Sequence, residues 1–278
     1  MFDRILVPTD GSGPANAALE YAGEIAATEG ATVHVLYVID PEADPDAADD
    51  VVADGRKWAG ETDSPVIDEV HTGEPETAVL EYATTHDVDA VVMGTRGRSG
   101  VGRLLLGSVT ESVVRNADVP VLVVRGASEV RRRYPLERIV VPTDGSEHAD
   151  AALECGLDVA RHHDAIVHVL SVVDVTPAGI DDRNDLRLER LESHAKGVVA
   201  DAVEAAESGG LEAAGEVRYG STDREIGAYA DEVDADLLVM GTHGRSGVDR
   251  LLLGSVTERV LRTATAPVLT VRAPVADR

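Results

Sequence analysis

Residues 92–111 read VMGTRGRSGVGRLLLGSVTE and residues 239–258 read VMGTHGRSGVDRLLLGSVTE, one phrase written twice with only Arg96/His243 and Gly102/Asp249 exchanged. In a chain of 278 residues such a repeat implies two copies of one domain of roughly 140 residues each, an ordinary domain size. Each copy begins as the end of an apolar run (Ala90 to Met93; Leu237 to Met240), passes through a glycine-rich arc and restarts at Gly107-Ser108 or Gly254-Ser255. Ser108 with Glu111, and Ser255 with Glu258, have the S-x-x-E spacing of a capping box, which predicts a helix N-terminus at the serine. A strand, a glycine arc and a helix N-terminus together favour an anion, because unpaired amides and the helix dipole point the same way.

The charge pattern agrees. The chain has 51 acidic residues against 25 basic ones, a formal net charge of −26, and its only lysines are Lys57 and Lys196. Such a surface repels nucleic acids and anionic membranes, so neither is expected as a partner. An acid-rich, lysine-poor composition suits a protein from a high-salt cytoplasm, where screening removes the self-repulsion. Against that background the arc is cationic: residues 94–110 hold Arg96, Arg98 and Arg103 and no acid, and residues 241–257 hold His243, Arg245 and Arg250 with the single acid Asp249. Cys155, the one cysteine, excludes an internal disulfide framework. No apolar run approaches the length of a membrane span, and the N-terminus leads straight into a strand, so a cytoplasmic protein without a signal peptide is expected.

Along the chain, strand and helix patterns alternate, which predicts parallel sheets covered by helices. In the first half these are a strand at residues 4–7, a helix at 13–28 ended by Gly30, strands at 32–39 and 66–70, a helix at 74–86, a strand at 88–93, a helix at 109–117 and a strand at 119–124. The proline- and acid-rich residues 40–65 give at most a short helix near Val51 to Trp58. The second half repeats this order. It adds a long charged helix over 181–208: Asp10 to Gly94 spans 84 residues and Asp144 to Gly241 spans 97, so the first half is 13 shorter. The expected division is a first domain over 1–126, a linker over 127–137 in which Arg131 to Arg133 form a solvated tether, and a second domain over 138–278.

Asp10 and Asp144 end the first strand of each half in the words PTDGS. One reading is an N-cap or Asx-turn. The other is a ligand group at the C-terminal edge of a parallel sheet, contacting a ribose hydroxyl or, through Mg²⁺, a phosphate. Leu104 to Leu106 and Leu251 to Leu253 read as packing, His34 and His168 as satisfied core residues, and the nine histidines as no metal set. No nucleophile, base and acid recur together in both halves, so no catalytic residue is assigned.

The spacing Gly94-x2-Gly97-x9-Gly107-Ser108, repeated as Gly241-x2-Gly244-x9-Gly254-Ser255, resembles the ATP-binding branch of the universal stress protein family, in tandem form. The resemblance implies two doubly wound, Rossmann-like α/β domains of the adenine nucleotide alpha hydrolase-like kind, each with a five-stranded, mostly parallel sheet. It also implies an intramolecular pseudo-dimer through the last strands, and leaves open a further homodimer. By the same resemblance Thr9, Asp10, Thr143 and Asp144 line the nucleotide site, and Val38 and Val172 hold adenine through their backbone. Phosphate contacts are implied at Gly107, Ser108, Val109 and Thr110 and at Gly254, Ser255, Val256 and Thr257, while Met93, Gly94, Gly97 and Arg98, and Met240, Gly241, Gly244 and Arg245, are implied as further nucleotide-binding residues. The implied cofactors are ATP with Mg²⁺ or Mn²⁺, and the implied role is a nucleotide-dependent stress switch read by protein partners. An ATP-consuming enzyme and a non-binding scaffold are the competing classes.

Overall fold

The computed structural model describes residues 2–39, 51, 58, 64–95, 106–126, 130–175, 182–244 and 252–273, with backbone alone for 182–187. The chain divides into two compact units, Met1–Pro135 and Leu136–Arg278. The first runs β1 (Arg4–Thr9), α1 (Gly13–Glu29), β2 (Thr32–Ile39), β3 (Val66–Thr72), α2 (Pro75–Thr85), β4 (Ala90–Gly94), α3 (Ser108–Asn116) and β5 (Val121–Val124). The second runs β6 (Arg138–Pro142), α4 (Glu147–His163), β7 (Ile166–Val173), α5 (Asp182–Ser208), β8 (Ala213–Tyr219), α6 (Thr222–Glu232), β9 (Leu237–Gly241), α7 (Ser255–Thr263) and β10 (Val268–Val271).

Within the first unit the strand order is β3-β2-β1-β4-β5 and every neighbouring pair is parallel. The second repeats it as β8-β7-β6-β9-β10, again parallel throughout. The order reverses beside β1 and β6, so the crevice that open α/β sheets use for ligands lies between the carboxyl ends of β1 and β4, and of β6 and β9. Composition follows position. The inner strands are apolar on both faces, with Ile5, Leu6, Val7, Ile139, Val140 and Val141 wholly buried, whereas the outer strand β3 (VIDEVHT) mixes charge with apolar residues and stays partly exposed.

Helix α1 starts at Ser12, whose hydroxyl accepts the Ala15 amide at 3.3 Å, and ends at Gly30 in the left-handed region at φ 74°. Its counterpart α4 starts at Ser146, which accepts the Ala149 amide at 3.2 Å. The caps are therefore the serines two residues beyond Asp10 and Asp144. Helix α1 packs on β1, β4 and β5, α4 packs on β6, β9 and β10, and α2 with α3, like α6 with α7, pack on one another.

The two units part company after their second strands. In the second unit the 27-residue α5 covers β7 and β8. In the first, Val51 and Trp58 are helical, and the Trp58 ring lies against α1 so closely that a Cβ on Gly23 would stand 2.8 Å from it. The linker also differs from the expected solvated tether. Val130 is buried, Tyr134 stands edge-on to Tyr21 at 6.3 Å, and its hydroxyl donates to Glu29 at 2.6 Å. The Tyr21 hydroxyl donates to the Arg133 carbonyl at 3.1 Å, and Arg132, 3.5 Å from Glu20, meets the expectation of a cation resting on a carboxylate. Two aromatic rings supply apolar area that three arginines in sequence conceal. Among the described residues no helix is long and apolar enough to cross a membrane.

Candidate functional site

At the end of β6, Thr143 is buried and its hydroxyl oxygen accepts the Gly145 amide at 3.2 Å, while Asp144 Oδ1 accepts the Ser146 amide at 3.1 Å. The first unit matches: Thr9 Oγ1 accepts the Gly11 amide at 3.2 Å and Asp10 Oδ1 the Ser12 amide at 3.0 Å. Each aspartate thus commits one oxygen to an Asx-turn, and each threonine hydroxyl holds the same turn from inside. The turn reading and the ligand reading of Asp10 and Asp144 are compatible, because the turn presents the carboxylate at the crevice. In the second unit α5 braces this turn: His194 Nε2–H donates to the Asp144 carbonyl at 3.2 Å. Sequence reasoning missed His194, whose only signal is its place on the long helix.

Strand β9 ends at Gly241 directly against the first turn of α4. A Cβ there would lie 2.6 Å from the His148 carbonyl oxygen, and one on Gly94 would lie 2.5 Å from the Pro14 carbonyl carbon. These two glycines are required by backbone contact alone. Beyond them the arc closes at its base, where the Gly254 amide donates to the Thr242 carbonyl at 2.9 Å and the Gly107 amide to the Thr95 carbonyl at 2.9 Å. Thr257 and Thr110, both buried, donate their hydroxyls back to the Gly241 and Gly94 carbonyls at 2.9 and 2.8 Å.

The expected capping box is corrected by this geometry. Gly254 and Gly107 are the N-caps, Ser255 and Ser108 are exposed first residues of the helices, and no side chain caps either terminus. The first helical bond of α7 runs from the Glu258 amide to the Gly254 carbonyl at 2.9 Å, so the amides of Ser255, Val256 and Thr257 have no acceptor within the helix. A serine cap would have consumed one of those donors; a glycine cap leaves all three.

A cavity of about 750 Å³ opens over this terminus in the second unit. Of the residues expected there, Thr143, Asp144, Val172, Met240, Gly241, Gly244, Gly254, Ser255, Val256 and Thr257 all line it. Gly244 runs close past the aspartate: a Cβ on it would meet Asp144 Oδ2 at 2.8 Å. The opposite wall, not foreseen from sequence, carries Asp174, Ser221 and Asp223, with Arg259 3.5 Å from Asp223. In the first unit Thr9, Asp10, Val38, Met93, Gly94, Gly107, Ser108, Val109 and Thr110 occupy the corresponding strand ends and helix turn. Gly97, Arg98 and Arg245, together with Leu104, Leu105 and Leu251, lie outside the described residues. Leu106 and Leu253 are buried as expected, but Leu252 is 64% exposed and lines the cavity instead of packing.

His148 and His243 meet behind the glycine arc with ring centroids 5.0 Å apart. Burial, then the neighbouring His243, push the His148 pKa below its ordinary value, and its Nδ1 accepts the Ala273 amide at 3.1 Å. Neutral imidazole is the form that fits there. Pro14 stands in the place of His148 in the first unit, so the helix repeat gave no signal for this contact.

The profile of the universal stress protein family matches residues 1–125 and again 135–272. A universal stress protein of Methanocaldococcus jannaschii is 38% identical over 141 residues, covering 50% of this chain and 83% of its own length. One from Mycolicibacterium smegmatis is 29% identical over 298 residues, 96% of both chains. The crystal structure of a universal stress protein from Archaeoglobus fulgidus superposes with a TM-score of 0.69 at 24% identity over 99% of this chain and 97% of that one, a likeness of fold.

Proposed function

This chain belongs to the universal stress protein family in tandem form, and on that premise we propose that its units bind ATP at the carboxyl ends of β1/β4 and β6/β9. The observation that carries the reading is the cavity of about 750 Å³ set over the uncapped N-terminus of α7. That volume is in the range of small-molecule pockets, about 300–1,000 Å³. The cavity also has the electrostatics a triphosphate needs: three amides with no acceptor within the helix, at the positive end of its dipole, approached by a glycine backbone that puts no Cβ in the way.

In this reading the phosphates lie on Ser255, Val256 and Thr257, the ribose lies by Asp144, and adenine lies along the backbone at Val172. The first unit repeats the roles with Ser108, Val109, Thr110, Asp10 and Val38. Asp144 and Asp10 would hold Mg²⁺ or Mn²⁺ beside the phosphates, and the ion would neutralise triphosphate charge. Asp144 fits that role because one oxygen is fixed in the turn and the other faces the arc at Gly244. Occupancy then biases the conformation of the arc, which protein partners read, and this is how a nucleotide acts as a stress signal.

Gly254→Val is the test. A Cβ at Gly254 already sits 3.0 Å from the Thr242 carbonyl, so the branched chain has only the amide side to occupy. ATP affinity of the second site, measured by calorimetric titration, is expected to fall by about tenfold or more, about 1.4 kcal/mol. Unchanged affinity in a folded variant overturns the phosphate assignment.

A further inference from the structure

Two helices of the second unit, α6 and α7, begin at the cavity and pack on one another, and the first turn of each lines it. The first turn of α7 offers the amides of Ser255, Val256 and Thr257, which have no acceptor within the helix. A terminal phosphoryl group carries three acceptor oxygens, as many as these donors. A chain of three phosphates therefore outruns one set of amides, and its outer phosphates need a cation from another source.

Arg259 is such a cation, and it stands within reach. It is the fifth residue of α7 and lines the cavity. Four residues rise about 6 Å along a helix, and helical side chains lean back toward the N-terminus, so a long side chain at this position returns to the level of the amides. Its Nη1 stands 3.5 Å from Asp223 Oδ1, on the first turn of α6, and the same oxygen accepts the Ser221 hydroxyl at 2.9 Å. The arginine side chain is 57% exposed and that of the aspartate 18%. So long a contact with so exposed a guanidinium contributes little, and a phosphate takes the arginine from it at small cost. The guanidinium gains by the exchange, because it meets phosphate through two parallel hydrogen bonds, shorter and stronger than the contact it leaves. Asp223 keeps the bond from Ser221 when the arginine departs.

The first unit does not repeat this arrangement at the matching position. The fifth residue of α3 is Ser112, buried, with its hydroxyl oxygen accepting the Asn116 side-chain amide at 3.3 Å. Glu76 stands on the first turn of α2 as Asp223 does on α6, so the acid is kept and the cation is exchanged.

We propose that Arg259 is a specificity-determining residue of the second site: on binding it leaves Asp223 for the outer phosphates of the nucleotide, and the site thereby selects a triphosphate over a monophosphate. The assignment rests on nucleotide binding at the cavity, and the test separates the two. In the full chain with the first site disabled by Gly107→Val, ATP and AMP are titrated calorimetrically against the second site; the wild-type chain, read as a two-site isotherm, is the second measurement. Arg259→Gln is expected to lower ATP affinity by about tenfold and to leave AMP within about twofold. Asp223→Asn, which releases the arginine, is expected to raise ATP affinity. A pair that only braced α6 against α7 would instead make both substitutions act in the same direction. Equal losses of ATP and AMP in R259Q, an unchanged ATP-to-AMP ratio, or loss of ATP affinity in both R259Q and D223N overturns the role of Arg259 while nucleotide binding stands. A second site that takes up neither ATP nor AMP before Arg259 is changed overturns the nucleotide reading and this proposal with it.

Discussion

The turn after β1 and the turn after β6 agree to within about a tenth of an ångström in their hydrogen bonds, while the side chains around them have diverged. Thr-to-Gly contacts are 3.2 and 3.2 Å, Asp-to-Ser contacts 3.0 and 3.1 Å, and the returning threonine hydroxyls 2.8 and 2.9 Å. Yet Pro14 stands where the other unit has His148, His71 where it has Arg218, and the Trp58 ring lies against α1 in the unit whose middle is 13 residues shorter than that of the unit carrying the 27-residue α5. The difference teaches that what this fold repeats faithfully is carried by main-chain groups and the few side chains bonded to them. What packs around that frame changes, because many side chains fill the same space.

Three perturbations break or sharpen the comparison. The largest effect is expected at the shared frame. Gly94→Ala and Gly241→Ala each drive a Cβ to 2.5–2.6 Å from backbone atoms of the facing helix, which cannot rotate away. Each is expected to cost about 3 kcal/mol in denaturant midpoint analysis, equally in both units. Tolerance at either position would show that the strand–helix approach is not shared.

A smaller, asymmetric effect is expected at the loops before β1 and β6. Asp236 Oδ2 accepts the Glu137 and Arg138 amides at 2.9 and 3.0 Å, and Asp89 Oδ2 accepts the Asp3 and Arg4 amides at 2.9 and 2.8 Å. Asp236 is wholly buried, whereas the bonds of Asp89 are exposed. Asp236→Ala strands two donors and costs about 2–3 kcal/mol; at Asp89→Ala water takes over and the loss is about 1 kcal/mol. Equal losses would remove burial as the distinction.

The smallest effect is in pH. His34, His148 and His168 all have pKa values lowered from 6.5, by burial first in each case. The folded chain refuses protons that the unfolded chain accepts. The stability they contribute is therefore complete above about pH 6.5 and is lost as pH falls below it. Two of the three are in the second unit, so H148Q/H168Q is expected to flatten the acid decline between about pH 7 and pH 5 more than H34Q does. A decline unchanged by both would assign it to other groups.

Much of the site was legible because its chemistry is local in sequence. The glycine spacing gave the arc, the apolar runs gave the strands that lead into it, and the PTDGS words gave both turns. The capping reading failed by one residue. S-x-x-E fixes that a helix begins, but whether glycine or serine takes the cap position depends on the Thr242 and Thr95 carbonyls, which draw the glycine amides inward from twelve residues upstream. The linker was misread for a similar reason: three arginines dominate its composition, but Tyr134 and Val130 decide where it lies. His194 and His148 were invisible because each acts on an element distant in the chain.

By itself the sequence determined two α/β units with parallel strands, the crevice motif in each and a cationic arc on an acidic protein, because short-range periodicity, glycine sterics and charge need no third dimension. Only tertiary structure decided that glycine and not serine caps α7, and that α5 braces the Asp144 turn. Those depend on strand register and helix docking, which set distances between residues whose separation along the chain carries no information about them.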